Sequence, residues 1–312
     1  MFEKALKLIK QYSTIIIHRH SNPDGDALGG QIGMRHLILD NYPDKKVFVV
    51  GDKPSRLEFI ADRPMDEIPD STYSGALAII LDTSSESMIS DDRYKLADKT
   101  LRMDHHIFLT RIADEEVVDT RCESCCGVIT EFAMQCNLIV SREAATALYT
   151  GIVTDSGRFR YGSTSSDTFR RTSFLLKCDI DINSIYLRLY SSSLESVKLR
   201  AVFTMKIQLT EHRVAYIYAT KKELEELGLT AVAAARGYVN TMADIKGVNY
   251  WVAFAEGDDG IVCELRSAGD NINGVAVKYG GGGHAQASGA TVPNKEIAMK
   301  VLKDLDRMAA LR

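Results

Sequence analysis

Residues 14–27 of the chain read Thr-Ile-Ile-Ile-His-Arg-His-Ser-Asn-Pro-Asp-Gly-Asp-Ala. The isoleucine-rich run at residues 14–19 predicts a strand, and one imidazole, His20, and two carboxylates, Asp24 and Asp26, follow it directly. In open α/β sheets, ligands gather at the carboxyl ends of parallel strands. The stretch therefore predicts an α/β fold and indicates where its chemistry lies.

The rest of the first half repeats this alternation of strand and helix. Apolar runs predict further strands at residues 46–50, 76–81 and 100–103. Between the first two strands, residues 27–39 carry apolar side chains at helical spacing, and Pro43 lies just beyond their end. Strands that alternate with helices predict a mostly parallel sheet.

The second half predicts a separate domain. The 312 residues suffice for two domains. Helical sequence dominates residues 124–209, and strand patterns resume at 214–219, 248–255 and 261–266 before a final helix. We therefore expect an α/β protein of two domains: a parallel-sheet catalytic domain over 1–185, a helical linker over 186–212 and a smaller α/β domain over 213–312.

Composition and charge exclude several classes of protein. A net charge of -4 disfavours binding to long nucleic acid, because that affinity requires many contacts from Lys and Arg to phosphates. The sequence has no apolar run of transmembrane length, and its amino terminus lacks the pattern of a signal peptide. We expect a cytoplasmic protein that does not bind membranes.

The six cysteines are irregularly spaced, which disfavours a disulfide framework. Cys122, Cys125 and Cys126 have the spacing of half a zinc site. The second pair of ligands that such a site needs is missing at a suitable distance along the chain. Reduced, partly buried thiols are the favoured interpretation.

Three further polar clusters stand near the ends of predicted elements. Asp82 follows the run at 76–81, and the triplet Asp104-His105-His106 follows the run at 100–103. Asp155 lies at the end of the helix predicted after residue 141. A carboxylate is electrostatically disfavoured near the carboxyl end of a helix, so its presence there indicates a compensating partner such as a cation.

Together the clusters indicate a metal site. Carboxylate oxygens mixed with imidazoles suit Mn²⁺, Mg²⁺, Fe²⁺ or Zn²⁺, and two such ions promote the hydrolysis of phosphate esters. The alternative is that each cluster is an unrelated turn or helix cap. A coincidence of four such features in one chain is the weaker explanation.

At these four clusters the chain resembles the DHH phosphoesterase superfamily, named for the triplet at 104–106. The resemblance implies two divalent metal ions, with Mn²⁺ the first choice. The implied ligands are His20 and Asp24 for one ion and Asp26, His105 and Asp155 for the other, with Asp82 bridging both.

The resemblance also implies two catalytic residues. His106 is expected to contact the reacting phosphate. Asp104 is expected to support the histidine pair from behind and so to orient the rings.

In the second domain, residues 280–289 read Gly-Gly-Gly-Gly-His-Ala-Gln-Ala-Ser-Gly. This run, with the preceding Glu264-Leu265-Arg266-Ser267, resembles the DHHA1 substrate-binding domain. Glycines let a ligand approach the backbone closely, and an arginine grips phosphate with two hydrogen bonds. The implied substrate-binding residues are Arg266, Ser267, Gly281, Gly282, Gly283 and His284.

The compact pairing of these two domains is similar to stand-alone nano-RNases of the NrnA type. The resemblance implies hydrolysis of short RNA oligonucleotides, linear dinucleotides and pAp, with the substrate bound between the domains. Relatives that form dimers make a homodimer a possible assembly. One rival is a dedicated phosphodiesterase for c-di-AMP or pApA. Another is a catalytically silent binding protein, against which the presence of all six metal ligands argues.

Overall fold

The computed structural model describes residues 2–54, 57–61 and 63–312. The chain divides into two compact units, Met1–Ser191 and Ser192–Arg312. The division lies inside segment 186–212, and our domain bounds stay a prediction. None of the described helices is long and apolar enough to cross a membrane.

The described part of the first unit is a parallel sheet with helices packed on it. Its strands are β1 (Thr14–His18), β2 (Lys46–Val49), β3 (Leu77–Leu81), β4 (Lys99–Asp104) and β5 (Glu115–Val118). Its helices are α1 (Glu3–Gln11), α2 (Gly25–Asn41), α3 (Cys125–Gln135), α4 (Arg142–Asp155), α5 (Ser166–Leu176) and α6 (Ile182–Tyr190). The prediction of an α/β fold with a parallel sheet is confirmed.

The strand order determines where ligands bind. The strands lie in the order β2-β1-β3-β4-β5, and all pairs are parallel. In this doubly wound order the chain reverses direction across the sheet between β1 and β3, which opens a crevice at the carboxyl ends of these strands. His20 and Asp82 follow β1 and β3 respectively, so both residues stand at this crevice.

The four predicted strands of this sheet form within one or two residues of their expected bounds. Their interiors are buried on both faces, as Ile15, Ile16 and Ile17 show, which is why apolar runs identified them without alternation. Strand β5 was not predicted. Its sequence, Glu-Glu-Val-Val, is acidic and half-exposed, as suits the edge of a sheet.

Helices α2 and α4 approach each other closely because small residues line their contact. A Cβ atom added at Gly29 would lie 2.6 Å from the carbonyl oxygen of Ala147. One added at Gly151 would lie 2.2 Å from the Sγ of Cys126 and 3.0 Å from an oxygen of Asp26. This close packing brings the first turn of α2 against α3 and α4, where the acidic residues lie.

The second unit has a mixed sheet. Its strands are β6 (Gln208–Leu209), β7 (Ala215–Ala219), β8 (Tyr250–Gly257), β9 (Gly260–Ser267), β10 (Gly282–Gly283) and β11 (Ala287–Val292). They lie in the order β10-β11-β9-β8-β7-β6, with β7 and β8 parallel and the other pairs antiparallel. Its helices are α7 (Leu194–Met205), α8 (Lys221–Glu226), α9 (Ala231–Tyr238), α10 (Asn273–Lys278) and α11 (Lys295–Ala310).

Successive side chains of β8 pack into two different hydrophobic cores, one on each face of the sheet. Trp251 and Ala253 pack with α9, whereas Val252 and Phe254 pack with α11 on the opposite face. Successive side chains of a strand point to opposite faces of the sheet, so one strand contributes to both layers. The glycine-rich β10 and the small-residue β11 were not predicted, because β10 consists of glycine and β11 carries branched residues only at its end, Thr291 and Val292.

The segment 186–212, which we predicted as helical, is interrupted. Helix α6 ends at Tyr190, and Ser193 caps the start of α7 by accepting a hydrogen bond from the backbone N–H of Ser196. The run of serines at 191–193 favours a break, because serine side chains compete for backbone hydrogen bonds. Phe203 of α7 is buried in the core of the second unit.

The contact among α2, α3 and α4 predicts the effect of one added methyl group. Replacing Gly151 with alanine forces a Cβ into the Sγ of Cys126, and such overpacking costs about 1–3 kcal/mol of unfolding free energy. Urea denaturation followed by circular dichroism measures this loss. Gly162→Ala is the matched control, because a Cβ there meets nothing within 4 Å. Equal unfolding midpoints for the two variants would contradict this packing.

Candidate metal centre and anion pocket

The loop after β1 places His20 and Asp24. Asp24 caps α2, since its Oδ1 accepts hydrogen bonds from the N–H groups of Asp26 and Ala27, both at 3.0 Å. The Nδ1 of His20 lies 2.8 Å from the carbonyl oxygen of Ser21. When Nδ1 donates to that carbonyl, Nε2 keeps its lone pair, as a metal ligand requires. This Nε2 lies 3.8 Å from Asp24 Oδ1.

A buried network holds the backbone at His20. The guanidinium of Arg19 is fully buried and donates to Gln31 Oε1 at 2.9 Å and to the carbonyl oxygen of His20 at 3.1 Å. It also pairs with Asp52, which accepts the N–H of Asn22 at 2.9 Å. Our sequence analysis missed this network, although Arg19, a charged residue at the end of the apolar run 14–19, is one of its members.

Asp82 lies between two histidines. Its Oδ2 is 3.5 Å from His20 Nε2, and its Oδ1 is 3.5 Å from His105 Nε2. Asp82 is buried, and Oδ1 has no hydrogen-bond partner among the described residues. Its φ of 53° lies in the left-handed region, which is uncommon for a residue other than glycine and concentrates at functional sites.

The second group contains Asp26, His105 and Asp155. His105 Nε2 lies 3.8 Å from Asp26 Oδ2 and 3.5 Å from Asp155 Oδ2. Asp26 also faces the amino terminus of α3, where the backbone N–H groups of Cys125 and Cys126 donate to its two oxygens at 2.7 and 2.9 Å. Asp155 is the last residue of α4.

The packed carboxylates perturb one another. Burial and the nearby Asp82 and Asp155 raise the pKa of Asp26 well above its usual range. Burial likewise raises the pKa of Asp155 to about 6. Hydrogen bonding to Asp24 and Asp82 raises the pKa of His20 to about 10. Without cations, the centre therefore retains protons that neutralise part of its negative charge.

The donor set fits divalent metal ions. Ligand atoms that share one ion at a bond length of about 2.1 Å lie roughly 3.0–3.5 Å apart, close to the separations of 3.5–3.8 Å measured around His20 and His105. The unpartnered, buried Oδ1 of Asp82 also requires a cationic or hydrogen-bonding partner. Among the described residues, the groups with metal-ligating geometry contain no cysteine, so the zinc alternative at 122–126 gains no support.

Asp104 holds His106. Its Oδ1 lies 2.8 Å from His106 Nδ1, and it accepts the backbone N–H of His105 at 2.8 Å. Asp104 therefore contacts the ring of His106 but only the backbone of His105. Arg102, buried in β4, pairs with the other oxygen of Asp104.

These contacts favour the charged forms of both Asp104 and His106. Burial alone would raise the pKa of Asp104, but His106 and Arg102 outweigh it and lower that pKa to about 2. The hydrogen bond to Asp104 raises the pKa of His106. The side chain of His106 is 44% exposed, against 16% for His105, so His106 is the more accessible ring. Our sequence analysis did not identify Arg102, although a charged residue in the interior of a buried strand is unusual.

The second unit contains a separate cavity of about 600 Å³. Arg266, Gly281, Gly282, Gly283 and His284 all line it. Ser267 does not, because it is buried and its hydroxyl donates to the carbonyl oxygen of Asp270. Two residues to which the sequence analysis assigned no role also line the cavity: Glu264, the first residue of the quoted stretch 264–267, and Arg236, which lies outside the predicted motifs.

Two family models match the chain. The amino-terminal domain of the DHH family matches residues 14–152, and the DHHA1 domain matches residues 214–310. The chain belongs to the DHH phosphoesterase family. The resemblance stated from the motifs is thereby confirmed, and membership makes the chain a hydrolase of phosphate esters.

Similar proteins within the family extend over the full length of the chain. A bifunctional oligoribonuclease and PAP phosphatase NrnA of Bacillus subtilis (strain 168) is 35% identical over 311 residues, which cover 99% of this chain and 98% of that protein. A probable protein of the same description from Streptococcus mutans is 39% identical over 290 residues, 93% of each chain. The cyclic-di-AMP phosphodiesterase GdpP of Geobacillus thermodenitrificans is 28% identical, and the match covers only 47% of that protein.

A solved structure shares the fold. The exopolyphosphatase-related protein of Bacteroides fragilis superposes with a TM-score of 0.84 at 24% identity and covers 99% of this chain and 96% of its own. At this identity the likeness concerns the fold alone. It agrees with the two-unit α/β architecture described above.

The crowded carboxylates predict a thermal response to metal. A free Mn²⁺ concentration of 100 times its dissociation constant stabilises the folded state by about 2.7 kcal/mol. We therefore expect Mn²⁺ to raise the Tm by several degrees. Asp82→Asn removes the carboxylate that faces both histidines and is expected to abolish at least half of this rise. Differential scanning calorimetry measures both, with Asp44→Asn, an exposed surface change, as the control. An undiminished rise in Asp82→Asn would argue against the site.

The buried pair beneath His106 predicts a large loss of stability. Arg102→Ala removes the buried cation on one oxygen of Asp104 and leaves the other oxygen on His106 and the backbone N–H of His105. Removing one partner of a buried ion pair costs about 3–5 kcal/mol. Arg121→Ala is the matched control, because Arg121 also pairs with an aspartate two residues away but is 82% exposed, so solvent screens the pair and its loss should barely change stability. Urea unfolding compares them, and similar costs would show that Asp104 does not depend on Arg102.

Proposed function

We propose that this protein hydrolyses short oligoribonucleotides and linear dinucleotides to mononucleotides and removes the 3′-phosphate of pAp. The observation that carries the proposal is Asp82, whose two oxygens face the two histidine-centred ligand groups and whose buried Oδ1 lacks a partner. Full-length similarity to proteins described as bifunctional oligoribonuclease and PAP phosphatase supports this choice of substrates.

The proposed metal ligands form two sets. His20, Asp24 and Asp82 would hold one ion, and Asp26, His105 and Asp155 the other. Asp82 would also serve the second ion, since its Oδ1 lies 3.5 Å from His105 Nε2. We propose two Mn²⁺ ions, since the donors are carboxylates and imidazoles without thiolates. Such a pair supplies an activated water at neutral pH and neutralises charge on the phosphoryl group.

The protein's own groups then orient the phosphate. His106 keeps Nδ1 engaged with Asp104, so Nε2 is the nitrogen that presents a proton to the substrate. Its raised pKa favours the protonated ring, which donates to the phosphoryl oxygen on which charge develops. Asp104 and Arg102 keep the ring in this orientation.

In the second unit, the proposed substrate-binding residues are Arg266, Ser267, Gly281, Gly282, Gly283 and His284. Arg266 and His284 supply donors for an anion, and the glycines let it reach the backbone. Of these residues, Ser267 does not line the cavity: its hydroxyl donates to the carbonyl oxygen of Asp270 and its backbone N–H to that of Gln286, so it supports the end of β9 beside Arg266. Homodimerisation and location in the cytoplasm stay predictions, and light scattering after size exclusion measures the first.

Hydrolysis assays with Mn²⁺ test the function. The substrates are pAp, pApA, c-di-AMP and RNA from dinucleotides to about ten nucleotides, in line with the short substrates of the related proteins. We expect turnover of pAp and short RNA, which Asp82→Ala lowers by more than about 100-fold, because a shared ligand is lost. Asp44→Asn, outside the centre, should retain the wild-type rate.

The outcomes separate the candidate functions. A strong preference for pApA or c-di-AMP over pAp and RNA would replace the proposal with a phosphodiesterase of second-messenger turnover. Absence of turnover on every substrate, with metal shown to be bound, would overturn the enzymatic proposal in favour of a binding protein.

A further inference from the structure

The cavity of the second unit contains a charged triad of Arg236, Glu264 and Arg266. Glu264 and Arg266 belong to the motif at residues 264–267, whereas Arg236 lies outside every motif of the sequence analysis. Glu264, on β9, is nearly fully buried, and its two oxygens bind different arginines. Oε1 accepts from Arg236 Nε at 2.8 Å, and Oε2 accepts from Arg266 Nη1 at 3.1 Å. A buried carboxylate is costly unless it is paired, so this residue ties the two guanidinium groups together.

Arg236 reaches the pocket from a different element. It lies on α9, whereas Arg266 lies on β9, and the glycine run precedes β11. The side chain of Arg236 is 71% exposed, yet its Nε is held by Glu264. Gly289 makes room for this arrangement, because a Cβ there would lie 3.2 Å from Glu264 Oε1. The guanidinium is therefore both accessible and oriented.

The remaining donors suit a phosphate group. Arg236 uses only Nε on Glu264, and the described residues accept no hydrogen bond from its Nη groups. Arg266 uses Nη1 on Glu264 and on the carbonyl oxygen of Leu265, so its Nε and Nη2 remain for a ligand. Two arginines against one carboxylate leave one net positive charge, and two planar guanidinium groups match the three oxygens of a terminal phosphate.

We infer that Arg236, oriented by Glu264, binds the 5′-terminal phosphate group of the substrate, which is the phosphate that the enzyme does not remove. Arg236 thereby determines the preference for 5′-phosphorylated substrates. Glu264 is a positioning residue that acts through both arginines. This inference rests on the proposed function, which supplies a substrate with a second phosphate.

The test compares pAp with 3′-AMP, which share the 3′-phosphate to be removed and differ only in the 5′-phosphate. In the wild-type protein with Mn²⁺, we expect the KM for pAp to be at least about 10-fold lower than that for 3′-AMP. Arg236→Ala should raise the KM for pAp by about 10-fold or more, keep kcat within about twofold and leave 3′-AMP unchanged.

Three further variants separate binding from folding. Arg236→Lys keeps the charge but not the planar group, so its KM for pAp should lie between those of wild type and Arg236→Ala. Glu264→Gln should raise the KM for pAp while kcat is retained, because the arginines lose their shared anion. Arg307→Ala removes an exposed arginine outside the pocket and should behave as wild type.

The outcomes distinguish this inference from the proposed function. Equal KM changes of Arg236→Ala for pAp and 3′-AMP, or none for either, would overturn the role of Arg236 even where both substrates are hydrolysed. If the wild-type protein hydrolyses no substrate, the proposed function fails. Isothermal titration calorimetry then measures the binding of 5′-AMP and adenosine to the full-length protein. A lower affinity of Arg236→Ala for 5′-AMP but not for adenosine supports the inference, and a 5′-AMP affinity equal to that of the wild type overturns it.

Discussion

Mutual repulsion among buried carboxylates is the constraint on which the first unit depends. Asp26, Asp82 and Asp155 converge at the carboxyl edge of one parallel sheet, where burial removes the water that would screen them. Such an arrangement persists only with compensating positive charge, supplied by protons or by metal ions. The strand order creates this problem, because the crevice between β1 and β3 receives polar side chains from neighbouring strands.

The surrounding structure supplies rigid support for these ligands. Arg19 and Arg102 are buried behind the site and fix the backbone at His20 and the carboxylate of Asp104. Neither guanidinium faces the metal ligands directly. Their positive charges are instead paired with Asp52 and Asp104, so they do not offset the charges of Asp26, Asp82 and Asp155.

The sequence identified the clustered carboxylates and histidines better than the groups that support them. His20, Asp82 and His105 were recognisable because each follows an apolar run, and parallel strands bring such ends together. Arg102 and Arg236 were missed, and Glu264 was quoted without a role, because what these residues do depends on partners across the fold rather than on local spacing. Strands β5 and β10 were missed for a related reason: acidic and glycine-rich sequences form strands only when a neighbouring strand pairs with them.

Backbone amides, rather than side chains, hold Asp26 against α3. Every residue except proline carries such an amide, so the chemical identity of positions 125 and 126 matters little to the ligand itself. What limits these positions is volume, since the Sγ of Cys126 fills the space beside Gly29 and Gly151. The thiols add weak hydrogen bonds to this packing, from Cys126 Sγ to the carbonyl oxygen of Asp26 at 3.4 Å and from Cys125 Sγ to that of Met103 at 3.2 Å. A replacement at either position must therefore match a small volume before it matches any reactivity of sulfur.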